Sequence, residues 1–250
     1  MTAAIVLTTF TFGFLIYFFS GSTAPIQALA TRIATGIATR AGIPESRASL
    51  PESARDGAVH ELRQETMVYL EKSIGFVTLG LIPALVSLVL PGGVPRLGLS
   101  LPGGSPWWTV APIVGFLVLV VVRPRGRVNT EFYPQVRALR WDPSRIVRNS
   151  FFWILYLVGY EFSFRGFLFF PLIPVMGLEA TVAVNSALYA LAHVYKGAGE
   201  AFGAFFLGIL LCAIAYATGS FLVPLVVHII LALGNDYLAV AVSSERAFTR

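Results

Sequence analysis

Six side chains near the C-terminal end are of the kinds that do chemistry, and they stand where such groups are costly. Glu161 and Arg165 lie within WILYLVGYEFSFRGFLFF. His193 lies within LYALAHVYKG, and His228 within SFLVPLVVHIILALGND, which ends on Asn235 and Asp236. An ionisable group at the centre of a bilayer costs roughly 3 kcal/mol or more, so each is a functional candidate by default. Four residues is about one helical turn, which puts Glu161 and Arg165 on one face as an ion pair. That pair offsets much of its own burial and, alone, also reads as a salt bridge locking a bundle. Of the three histidines, however, two fall in apolar segments beside it. Asn235 and Asp236, at i+7 and i+8, share the face of His228. Polar groups on three separate apolar segments predict one shared site. Glu161, His193 and His228 would also supply the oxygen and two nitrogens that zinc takes, although no HExxH occurs and carboxylates to orient the histidines are scarce.

The elements that must position these groups are membrane helices. The 250 residues are 56% hydrophobic and 12% charged, with a net charge of +5 and a mean hydropathy of +0.75. Soluble chains carry about twice that share of charge. Disorder, coiled coil, collagen-like repeat and disulfide scaffold are excluded, the last because Cys212 is alone. Apolar blocks at about 3–19, 73–90, 107–122, 150–172, 178–195, 201–217 and 220–242 predict an all-α polytopic bundle of about seven transmembrane helices. The second and third are short, with Pro83 and Pro112 as points of kinking. Block 3–19 lacks a positive n-region and reads as a retained helix rather than a signal peptide.

Charge orients the bundle. Seven arginines lie between Arg123 and Arg148 and six basic residues between 20 and 72, against only Arg96 in 91–106. The positive-inside rule then puts both basic segments and the C-terminus in the cytoplasm, with the N-terminus outside; in a bacterium the membrane would be the plasma membrane. No basic run is interleaved with aromatics, so nucleic acid is not expected as a partner. Segment 24–41 places Ile26, Leu29, Ile33 and Ile37 on one face, as in a helix lying on a membrane surface. Residues 44–57 read as a linker, and a helix from about His60 into Lys72 follows. Two parts result: N-terminal helices over 1–145, including an amphipathic cytoplasmic segment at 24–72, and a four-helix core over 146–250. Gly203, Ala204 and Gly208 are small residues suited to close helix packing.

Three short patterns carry a resemblance. Tyr160-Glu161-x-x-x-Arg165-Gly166, then Tyr189-x-x-x-His193, then Thr218-Gly219-Ser220 leading to His228 follow in order over about 150–240. This resembles the CPBP intramembrane peptidases: CAAX prenyl endopeptidases, bacteriocin-processing enzymes and bacteriocin self-immunity proteins. Two positions depart from the family pattern. Tyr160 stands where the family has its first glutamate, usually the general base, and Ala232 stands four residues after His228 where the family has Asn or Asp. Asn235 or Asp236 would substitute from one turn further along.

The resemblance implies a glutamate-dependent endopeptidase that hydrolyses a peptide bond in a membrane-associated peptide or lipidated protein, without a cofactor. Glu161 would be the acid/base group activating water, Arg165 its partner, and His193, His228 and Asn235 the groups stabilising the oxyanion. Two rivals share these residues: a zinc metalloendopeptidase, and a non-catalytic membrane protein of the self-immunity or scaffold kind. A transporter would show polar, broken helices in both halves, whereas these polar residues cluster in one.

Overall fold

The computed structural model describes residues 1–41, 52–90 and 97–249. The described residues are mostly helical. In order come α1 (Thr2–Ser20), α2 (Ala24–Arg40), α3 (Glu52–Phe76), α4 (Ile82–Ser87), α5 (Trp107–Val122), α6 (Pro143–Glu161), α7 (Phe169–Met176), α8 (Leu178–Leu191), α9 (Ala198–Thr218) and α10 (Leu222–Val242). The one sheet among the described residues pairs Arg140–Trp141 in parallel with Ala247–Phe248.

Thr2–Ser20, Gly57–Ser87, Ala198–Thr218 and Leu222–Val242 are long and apolar enough to cross a bilayer, and Trp107–Val122 and Leu178–Leu191 are shorter apolar helices. α5 buries none of its residues, and α1 buries only Val6, Phe10, Gly13 and Ser20. Apolar helices with so little protein contact present their side chains to lipid.

Two joints explain why the predicted blocks do not match the helices end to end. A π-helical turn, Val77–Leu81, joins α3 to α4, so the block at 73–90 is the far end of one long rod from Glu52. A second π-helical turn, Phe162–Leu168, joins α6 to α7. Each precedes a proline, Pro83 and Pro171, whose ring clashes with the carbonyl four residues back, at Leu79 and Phe167 respectively. Widening the turn accommodates both. Pro112, by contrast, sits in α5 without breaking it.

The two joints lie against each other. A Cβ on Gly80 would stand 3.0 Å from the Gly159 Cα, and one on Gly159 would stand 3.0 Å from the Phe76 Cα. Only glycines permit that approach. The Leu79 carbonyl, deprived of a partner by Pro83, accepts a 2.5 Å hydrogen bond from the Ser163 hydroxyl. The main core runs through this crossing and draws on both halves of the chain: Val6, Phe10 and Leu79 pack with Leu157, Phe164 and Leu211.

α2 packs on α3 through Ala30, Ala34 and Ala38. Leu29, Ile33 and Ile37 of its apolar face are exposed, at 42, 37 and 44%, as expected of a surface-lying helix. Of the expected linker at 44–57, residues 44–51 lie outside the described residues, as does Arg96, whereas 52–57 are the first turns of α3, which begins at Glu52 and not near His60. Gly208 fits its packing assignment, since a Cβ there would lie 3.1 Å from the Ser186 Cα. Gly203 does not: nothing lies within 4 Å of such a Cβ, and the residue lines a cavity instead.

Candidate functional site

α6 delivers the first two groups. Its start is set by Asp142, whose side chain accepts from the Arg145 amide at 2.9 Å, with Pro143 following as the first helical residue. Arg145 then pairs with Glu61 and Glu65 of α3, both at 3.0 Å, which fixes α6 against the long rod. Five turns later the helix ends on Glu161, and the π-helical turn carries Arg165. π-turns inside helices occur often at functional sites because they re-aim side chains without ending the helix.

α10 delivers the third. The chain leaves α9 through Gly219 in the left-handed conformation, φ 63°, which a side chain would strain. Residues 98–103 clamp this turn: Phe221 donates to the Gly98 carbonyl at 3.0 Å and Gly103 to the Thr218 carbonyl at 2.8 Å. α10 thereby starts at a fixed height, and His228 arrives opposite Glu161.

The three groups meet. His228 Nδ1 lies 2.5 Å from Glu161 Oε1, and Arg165 Nη1 lies 3.2 Å from the same oxygen. Glu161 and Arg165 are fully buried, and His228 is nearly so. The Arg165 guanidinium also sits over the Tyr189 ring, 4.2 Å from its centroid. Glu161 Oε2, Arg165 Nε and Nη2, and the Tyr160 hydroxyl have no hydrogen-bond partner among the described residues.

A cavity of about 760 Å3 borders this cluster. His193, His228 and Asn235 line it, whereas Glu161 and Arg165 lie behind the wall. Glu161 therefore faces the cavity through His228 and not directly. An ionised carboxylate only accepts, so the His228 Nδ1 must carry the proton, and a neutral imidazole then turns a basic Nε2 outward. The same logic holds at His193. Its Nδ1 is 2.8 Å from the Tyr189 carbonyl oxygen, which also only accepts, so its Nε2 is a proton acceptor while the ring is neutral. The expected role of the histidines as oxyanion donors thus requires their protonated forms.

The structure brings together Glu161, Arg165 and His228 and sets His193 alongside, with Tyr189 between: its ring centroid is 4.7 Å from His193 and 6.0 Å from His228. Asn235 reaches the same cavity two turns further along α10, about 10 Å away, and its carbonyl oxygen accepts from Arg123 Nη1. Asp236 is turned inward, where it accepts from Asn149 at 3.0 Å, Trp153 at 2.7 Å and the Gln135 amide at 3.1 Å. Among the described residues, no group of three or more His, Cys, Asp or Glu is placed to hold a metal ion, the rival zinc set of Glu161, His193 and His228 included.

Sequence reasoning passed over Tyr160 as a participant. It lines the cavity, its ring is 5.5 Å from that of His228, and its hydroxyl is uncommitted. The signal was its position beside Glu161, in the place of the family's first carboxylate. Lys72 and Lys196, which also line the cavity, gave no such signal because neither falls in one of the three motifs.

Residues 142–234 match the model of the family described as Type II CAAX prenyl endopeptidase Rce1-like. The match opens on the capping residue of α6 and closes one residue before Asn235, so it covers Glu161, Arg165, His193 and His228. Over this segment the CPBP resemblance read from the three motifs holds, and it supports a protease kind of function in an integral membrane protein. No curated protein and no solved structure matches the chain.

Proposed function

We propose that the protein is a membrane-embedded endopeptidase of the CAAX-processing kind, in which a Glu161–His228 pair activates water against a peptide bond presented in the cavity. The observation that carries this is the 2.5 Å contact between Glu161 Oε1 and His228 Nδ1 at the cavity wall. The Glu161 carboxylate, itself held by Arg165 at 3.2 Å, fixes the His228 tautomer and the orientation of its ring.

The steps balance. His228 Nε2 takes a proton from water as the oxygen attacks the carbonyl carbon, and the charge develops on the carbonyl oxygen. As the C–N bond breaks, the imidazolium returns the proton to the leaving nitrogen, yielding a carboxylic acid and an amine. The Tyr160 hydroxyl, uncommitted and on a ring 5.5 Å from that of His228, is assigned to the developing oxyanion. His193, with no carboxylate on its ring, lines the substrate's path.

A non-catalytic role is the second reading, and Tyr160 favours it, since it replaces the carboxylate that the family resemblance would make the base. Cleavage of a quenched-fluorescent membrane-anchored peptide by the purified chain distinguishes the two. Proteolysis that disappears in His228→Ala, with helical content and melting behaviour retained, supports the peptidase; cleavage that persists in that variant refutes the assignment.

A further inference from the structure

The cavity has a second polar region that the hydrolytic pair does not use. Lys72 of α3 is 97% buried by its 3% exposure. Its ammonium lies 3.1 Å from the centroid of the Trp153 ring and 5.3 Å from that of Tyr156. Its hydrogen bond runs to a neutral acceptor, Gln135 Oε1, at 2.7 Å. An ammonium has three N–H donors, so this buried charge is incompletely satisfied by the described residues.

Lys196, half-buried, repeats the arrangement. Its Nζ bonds the Tyr133 hydroxyl at 3.0 Å and lies 5.2 and 5.7 Å from the Tyr133 and Tyr195 rings. Arg123 and Arg137 line the same space, as do Glu71 and Glu200. Yet every ion pair found among the described residues lies elsewhere, and none of these four cations has a carboxylate within 4.0 Å. Four cations against two acids, walled by aromatic rings, make a cavity whose field favours an anion with apolar flanks. Of the four, Lys72 is the buried one, and a buried cation ordinarily has an ionic partner; an anion entering the cavity would supply it.

We infer that Lys72 and Lys196 form an anion-binding subsite that receives a carboxylate of the peptide substrate and sets which peptides enter. Its place follows from α6. Trp153, beneath Lys72, and Tyr160, beside His228, are seven residues apart on that helix, about 10 Å along its axis. The carboxylate is thus held well clear of the hydrolytic pair, and the peptide runs between them over the tyrosine faces. The inference rests on the peptide-binding reading of the cavity, but it is tested by binding rather than by turnover.

The experiment uses the full chain carrying His228→Ala, in phosphatidylcholine nanodiscs, so that no probe is consumed. A fluorescein-labelled apolar peptide bearing one Glu, moved position by position along it, is compared by anisotropy with the same peptides bearing Gln. The expected result is about tenfold tighter binding of the Glu form at one position, lost on adding Lys72→Met and reduced on adding Lys196→Gln. The second variant alters a side chain at the end of the short 3-10 turn Val194–Lys196 between α8 and α9, which keeps the test valid if Lys72→Met unfolds. Equal binding of Glu and Gln peptides at every position overturns the inference. So does a preference that survives both lysine substitutions. Equal peptide binding, together with an anionic-lipid affinity that falls in the lysine variants, would assign the cations to a lipid headgroup and also overturn it.

Discussion

Glu161 has two neighbours on one oxygen, and the question of whether it serves the bundle or the chemistry is open to a double-mutant cycle. Glu161→Gln keeps the shape and an acceptor for His228 but leaves Arg165 fully buried without a counter-charge. Removing one partner of a buried pair costs about 3–5 kcal/mol. Arg165→Met strands the carboxylate in the same way, at a similar cost, tempered by the His228 contact that remains at 2.5 Å. The double substitution removes both charges together. Replacing a whole buried ion pair by neutral groups of similar volume is often neutral or mildly stabilising, so the double variant is expected to recover most of the loss of either single one. The two stability changes would then sum to about 6–10 kcal/mol separately but to near zero combined.

Cleavage should follow a different course. The double variant still lacks the carboxylate that fixes the tautomer and orientation of His228, so peptide hydrolysis should stay about 10²- to 10⁴-fold below the parent. Thermal unfolding in detergent measures the first quantity and initial rates on the quenched peptide the second. A double variant that regains both its stability and its cleavage rate to within a few-fold would refute the reasoning, because Glu161 would then be bundle glue alone. Additive stability losses would refute the buried-pair geometry instead.

Tyr160→Phe deletes a buried hydroxyl that has no partner; kcat should fall by about 10²-fold with KM little changed, while the melting temperature stays level or rises because an unsatisfied polar group is gone. Steady-state kinetics and thermal unfolding on one preparation read both. Asp142→Ala removes the cap of α6 and should cost about 1 kcal/mol without altering KM. The Arg145 amide that donates to Asp142 holds its carboxyl below the ordinary range. The stabilisation is therefore complete above the unfolded-state value near pH 4 and is lost as pH falls through the lower folded value. The gap in melting temperature between parent and variant should accordingly close in acid, and a gap that widens there would contradict the capping assignment.

The helices and the pairing of Glu161 with Arg165 were legible because both depend on short-range periodicity: apolar runs of helical length, and a spacing of four. The ends of the helices were not, because a π-turn arises from a conflict. Pro83 and Pro171 announce a break, and only tertiary contact, the Gly80–Gly159 approach and the Ser163 hydroxyl on the freed Leu79 carbonyl, decides that the rod bends and continues. The site divides along the same line. That His228 would meet Glu161 depends on the height at which α10 begins, which a loop 120 residues earlier helps set through Gly98 and Gly103. Nothing in the spacing of Asn235 and Asp236 tells which of two adjacent residues enters the cavity; the indole of Trp153 and the amide of Asn149 settle it by drawing Asp236 inward. Asp236 is thereby committed to three donors of the scaffold and forms no ion pair with the cavity lysines, which leaves them open to a carboxylate on the bound peptide.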